Sequence, residues 1–135
     1  MGWLDRWKEA PKDQEQLGLF GEDQALVPQH RVDGATVQKA LQAEVKQRRG
    51  NAKTHAQLNA IVTRNLLECS VDELYEQTGG VKNDRSSLPQ EAQEALMVGD
   101  LAARHEIVTQ DAQGHQQILK AGDAGSKKAR RILPW

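Results

Sequence analysis

The chain has 135 residues, of which 38% are hydrophobic, 27% charged and 4% aromatic, with one cysteine and a formal net charge of −1. That length holds one domain with an aliphatic core and leaves little room for a second, and the composition excludes a disordered polyelectrolyte. A lone Cys69 excludes an intrachain disulfide, and no apolar run approaches the roughly 18 residues that span a bilayer, so a cytoplasmic protein without a membrane span is expected.

In chain order, residues 1–33 read as a loose arm. The stretch GWLDRWKEAP makes a turn or two of helix at most, with Trp3, Leu4 and Trp7 on one side, and Pro11 ends it. Beyond it the apolar residues follow no period, and Gly18, Gly21, Pro28 and Gly34 interrupt them. The domain proper is expected over 34–135.

The first sustained helix is predicted over 35–49, with Asp33 as N-cap and Val37, Leu41 and Val45 recurring every four residues. Lys46, Arg48 and Arg49 close it, and Gly50-Asn51 stops it. A second helix starts at Thr54, where THAQ reads as a capping box with Gln57. Leu58, Ile61, Val62 and Leu66 form its buried stripe, widened by Leu67 and Cys69. A third, short helix follows at once behind the SVDE capping box of Ser70 and Glu73. It turns Val71, Leu74 and Tyr75 inward and ends at Gly79-Gly80. A corner this tight resembles part of a helix-turn-helix.

The fourth helix is the longest. Ser87 with Gln90 reads as its capping box, and Pro89 sits in its first turn. Ala92, Ala95, Leu96, Leu101 and Ala102 supply a small-residue face for close helix approach, continued by Val98, His105 and Val108. Gly99 costs that helix about 1 kcal/mol relative to alanine. Residues 107–120 are left between a hairpin turning at Ala112-Gln113-Gly114 and a helix–turn–helix, with the helical reading preferred. Asp123 then caps a last helix over 124–133, which Pro134 stops. The expected fold is mainly α: a small bundle of four to five helices, the C-terminal hairpin left open, with a loose N-terminal arm.

Catalytic and metal signatures are missing. His30, His55, His105 and His115 do not stand at metal-ligand spacing, and HExxH, CxxC and phosphate-cradling glycine motifs are absent. Cys69 reads as a core thiol and His105 as a satisfied structural histidine. Asp72, Glu73, Glu91 and Glu94 read as acids favoured at helix starts. Neither an enzyme nor a cofactor or metal is expected.

Cations cluster in three places. Lys82 and Arg85 precede a helix N-terminus beside the Ser86 and Ser87 hydroxyls, a combination that suits phosphate. Arg48, Arg49 and Lys53 form a second group, joined by His55 and Arg64. The tail carries Lys127, Lys128, Arg130 and Arg131. Residues 111–135 hold five basic and two acidic residues, after five basic and nine acidic over 51–110. The competing readings are that Arg85 bridges a helix-start carboxylate such as Glu91, that Lys82 is merely solvated, and that the tail only balances the acidic middle.

The stretch SVDELYEQTGGVKNDRSSLPQEAQEALMVGDLAARHEI is similar in pattern to the C-terminal part of bacterial DNA-damage-inducible protein D and related phage BRO-type antirepressors. The matching positions are Leu74, Tyr75, Thr78, Gly79, Lys82, Arg85, Ala102, Ala103 and His105. They lie within 70–107, about a third of the chain. The family's N-terminal DNA-binding-like domain has no counterpart here. The resemblance implies a DNA-related role in damage response, phage or mobile-element biology, and transfers no catalytic residue. LLECSVDELYEQTG also resembles the closing helices of repressor-type helix-turn-helix domains, where such a segment packs the domain.

Two functions follow as expectations. One is a non-enzymatic, nucleic-acid-associated accessory or regulatory protein, with Arg48, Arg49, Lys53, Lys82, Arg85, Lys127, Lys128, Arg130 and Arg131 on phosphates. The other is a protein–protein adaptor or inhibitor that docks on a larger partner through Trp3, Trp7 and Trp135, since exposed tryptophans are frequent interface anchors. A homodimer is compatible with either.

Overall fold

The computed structural model describes residues 2–9 and 34–133. Among them the chain forms six α-helices and no strand: α1 (Trp3–Glu9), α2 (Gly34–Gln47), α3 (Ala52–Leu67), α4 (Val71–Thr78), α5 (Gln90–Thr109) and α6 (Gly114–Arg130). A 3-10 turn, Arg85–Ser87, precedes α5. The mainly α expectation holds, and residues 107–120, left between hairpin and helix with the helical reading preferred, are the last residues of α5, a short turn and the first residues of α6. Asp123 therefore lies inside α6 and does not start a separate helix.

Local signals explain most boundaries. Ser70 and Glu73 form the reciprocal capping box expected at α4, and Gly79 closes that helix in the left-handed region at φ +73°. At α3 the box is shifted by one turn. Asn51 is the N-cap, its Oδ1 accepting from the Thr54 amide, while Thr54 Oγ1 accepts from the Asn51 amide. Thr54 is thus the third helical residue and not the cap. The expected Ser87–Gln90 box does not form. Pro89 is the N-cap of α5, and Ser87 Oγ instead donates to Asp84 O and accepts from the Val81 amide.

The core joins Leu41 and Val45 of α2, Leu58, Val62, Leu66 and Leu67 of α3, Ala92, Ala95, Leu96, Ala103 and Ile107 of α5, and Ile118 and Ala121 of α6. Helix α5 is central and packs against α2, α3 and α6. Small residues let the helices close in. A Cβ on Gly99 would lie 2.7 Å from Val62 Cγ1, and one on Gly125 would collide with the Ala102 carbonyl.

Contacts between α3 and α6 advance together along both helices. Thr54 meets His115, Asn65 meets Asp123 and Ser126, and Glu68 meets Arg130. The two helices therefore run parallel, side by side.

The arm expectation needs correction where it can be seen. Residues 3–9 are a helix of the fold. Trp3 is fully buried, its indole Nε1 donating to Glu91 at 2.8 Å, and it stacks on Trp7 with ring centroids 5.9 Å apart. Arg6 pairs with the same Glu91 carboxylate. Burial of so large a ring outweighs the weak propensity of a seven-residue helix. The expectation for residues 10–33 lies outside the described residues. No described helix is long and apolar enough to cross a membrane.

Candidate nucleic-acid interface

Charge is segregated by helix. Helix α3 contains Lys53 and Arg64 and no acidic residue. Helix α6 contains Lys120, Lys127, Lys128 and Arg130 and a single acid, Asp123, which Lys127 matches at 3.0 Å. Lys53, Gln57, Ala60 and Arg64 are exposed at helical spacing on α3, and Gln116, Lys120, Lys127 and Arg131 are exposed at helical spacing along α6 and its last turn.

The rows face outward on neighbouring flanks. Lys127 pairs with Asp123, which also accepts from Asn65 of α3. Arg64 lies one turn before Glu68, which bonds Arg130 of α6. Because the helices are parallel, Lys53 and Arg64 on one and Lys120, Lys127 and Arg131 on the other make a single stripe. It is about 26 Å long and about 10 Å wide by helix geometry. The side chains of Lys53, Lys120 and Arg131 make no hydrogen bond or ion pair among the described residues, so their charge is open to a ligand.

Other candidates have internal work. Arg48 is only 14% exposed. It bonds Glu44 at 2.7 Å and Asp111 at 2.8 Å, and donates to the Ala112 carbonyl, which ties the end of α2 to the α5–α6 turn. Its bonds to Glu44 and then Asp111 raise its pKa, and the same contact lowers that of Asp111. Arg85 reaches inward to Asp100 at 2.6 Å and to Asn59, with no contact to Glu91. Both arginines leave the phosphate-contacting set, because a buried or half-buried carboxylate already holds each guanidinium.

Lys82 lies on the surface near Asp72 at 3.4 Å, beside an open cleft of about 290 Å³ lined by Asp72, Tyr75, Glu76 and Gly80. The two carboxylates there oppose an anion. Lys128 sits on the other flank of α6 and bonds Glu106 at 3.0 Å, and the hydrogen bonds from Gln110 and then Lys128 lower the pKa of that carboxyl. Arg130 bonds Glu68, and Arg49 is exposed at the α2–α3 corner.

The histidines and the cysteine are placed differently from one another. His55 turns away from the stripe. Its Nε2 meets Gln42, its Nδ1 is enclosed without a hydrogen-bond partner, and burial lowers its pKa. His105, expected as a structural histidine along the inward face of α5, is exposed. Cys69 is buried, and burial pushes its thiol up to about 11. Asp100 is 1% exposed, and burial raises its pKa against the pull of Arg85. The described residues contain no group of three or more His, Cys, Asp or Glu side chains that could hold a metal.

Several positions that carry the sequence resemblance do packing work. Leu74 and Tyr75 are buried, Thr78 Oγ1 donates to the Leu74 carbonyl, and Gly79 ends α4. Of the tryptophans offered as anchors, Trp3 is in the core, Trp7 is half-buried against it, and Trp135 lies outside the described residues. Sequence reasoning singled out neither Lys120 nor the pairing of its row with Lys53 and Arg64. The four- and seven-residue spacings were visible, but the parallel alignment of two helices 60 residues apart was not. No known family model matches the chain, and no curated protein matches it either.

Proposed function

We propose that this is a non-enzymatic, nucleic-acid-associated accessory or regulatory protein that grips the phosphate backbone along α3 and α6. The observation that carries the reading is the acid-poor stripe of Lys53, Arg64, Lys120, Lys127 and Arg131 on two parallel helices. Its length of about 26 Å corresponds to about eight base pairs of duplex, whose axis carries one phosphate charge per roughly 1.7 Å. The uncharged Gln57, Ala60 and Gln116 side chains between the cations add no repulsion against a phosphate backbone. The stripe suits phosphate contact more than base reading, since it has no Asn and Arg array projecting from a single helix. A place in damage response or mobile-element biology rests on the resemblance of residues 70–107 alone.

The test is anisotropy of a labelled duplex titrated with the protein at several salt concentrations. Binding should weaken steeply with salt. In the variant Lys53→Ala, Arg64→Ala, Lys120→Ala, Lys127→Ala the slope of log K against log salt should fall by about three to four, close to one per phosphate contact. Lys82→Ala should leave the slope unchanged. Salt-insensitive binding, no binding, or an unaltered slope in the fourfold variant would each refute the proposal.

A further inference from the structure

An α-helix turns by about 100° per residue, and this fixes what lies between the two cation rows. On α3, Leu58 and Asn65 face α6: a Cβ on Gly122 would collide with Leu58, and Asn65 bonds Asp123. Lys53 and Arg64 point roughly 120° away from that direction. On α6, Ser126 faces α3 through the same asparagine, and Lys120, Lys127 and Arg131 again point roughly 120° away. The cations therefore form two outward rails whose tips stand farther apart than the helix axes, by more than about 10 Å. Between the rails runs a trough that holds Ile61, Asn65 and Asp123, all half-buried.

Asp123 puts a fixed negative charge in that trough. Asn65 Nδ2 donates to its Oδ1 at 2.8 Å, and Lys127 Nζ meets its Oδ2 at 3.0 Å. The side chain is 39% exposed, so its charge is felt at the surface. Those bonds, that of Asn65 first, hold its pKa below the usual carboxylate range. Asn65 is itself tied to Ser126 Oγ at 2.8 Å, which keeps the carboxylate in place when Lys127 turns to a phosphate.

On the footing of the phosphate-gripping role proposed above, we infer that the trough makes the protein selective for double-stranded over single-stranded nucleic acid, with Asp123 as the residue that discriminates. A duplex carries its phosphates on two strands separated by a groove, about 6 Å wide for the minor and about 12 Å for the major groove of B-DNA. One strand lies on each rail, and the groove opens over the carboxylate. A single strand has one line of phosphates. To reach both rows it must run between them, where it meets Asp123, and along one rail it forfeits the cations of the other. Single-strand binders also stack bases on aromatic rings. The described aromatic residues, Trp3, Trp7 and Tyr75, belong to the core or pack against it.

Anisotropy titrations of the full chain test this, with a labelled duplex and a labelled oligothymidylate of equal length at several salt concentrations. The wild type should bind the duplex at least about tenfold more tightly. Asp123→Asn, which still accepts from Asn65, should tighten the single strand about tenfold and the duplex only about two- to threefold. The smaller gain reflects the freed Lys127, which both ligands share. Asp123→Ala should act in the same direction, and circular dichroism verifies that both variants fold. Glu76→Gln, which removes one charge from the exposed face of α4, should leave the ratio of the two affinities unchanged. Equal affinity of the wild type for the two ligands, or equal gains for both in the Asp123 variants, would overturn the inference and leave the phosphate-gripping role standing. A ratio that shifts as far in Glu76→Gln as in Asp123→Asn would overturn it too. Absence of salt-sensitive binding to either ligand would overturn both.

Discussion

Arg85 shows how far a residue's role depends on what lies across from it. Its position before α5, beside two serines, suits an anion site, and a bridge to a nearby carboxylate such as Glu91 is the other reading from sequence. The carboxylate it finds is Asp100, fifteen residues on and 1% exposed, with Asn59 of α3 completing the contact. Truncating one member of a buried pair leaves the other charged and unsolvated. Arg85→Ala should therefore cost about 3–5 kcal/mol in urea unfolding, while Lys82→Ala, next door and exposed, should stay within about 0.5 kcal/mol. Equal effects at the two positions would contradict the assigned roles. The pairing was not legible in sequence, because Asp100 occupies a helix position that becomes interior only when the 80–88 loop folds back over α3 and α5. Glu91, the partner reasoning from proximity suggests, is occupied by Trp3 and Arg6.

At the scale of elements, small residues set the helix spacing. Propensity alone says that replacing a mid-helix glycine by alanine gains about 1 kcal/mol. The packing reverses that sign at Gly125, where the added methyl would meet the Ala102 backbone, which cannot rotate away. Gly125→Ala should destabilise by about 1–3 kcal/mol in thermal or chemical unfolding. Gly34→Ala, at the start of α2 with no atom of the described residues within 4 Å of the new methyl, should be neutral to slightly stabilising. Helix existence was legible because caps and 3.6-residue periods are local: Ser70 with Glu73 was read correctly, and the Asn51–Thr54 box was off by one turn because either residue can start it. Which helices touch was less legible, since Gly99 and Gly125 have the same local sequence signature whether they face a neighbour or water.

For the whole molecule, the stretch read as a detached arm begins with one of the most buried side chains in the protein. Trp3→Ala should remove about 3–5 kcal/mol and lower the thermal midpoint by roughly 10 °C. A midpoint within a degree of wild type would mean that α1 is not held to the body. Seven residues offer too little periodicity to reveal that docking in sequence, and the glycines and prolines that follow argue locally against it. The charge stripe is likewise a property of assembled helices, each half visible in sequence and joined only by the fold. The Trp3–Glu91 bond also has a bearing on how the protein is made. Trp3 is synthesised 88 residues ahead of the glutamate that receives it. At ribosomal speeds of about 5–20 residues per second, it spends several seconds in water before its seat exists. Two stacked indoles on an unfinished chain are what holdase chaperones capture. The nascent protein should depend on such help until α5 has emerged, and closure of α1 should be among its last folding events, slowed by the long loop it must span.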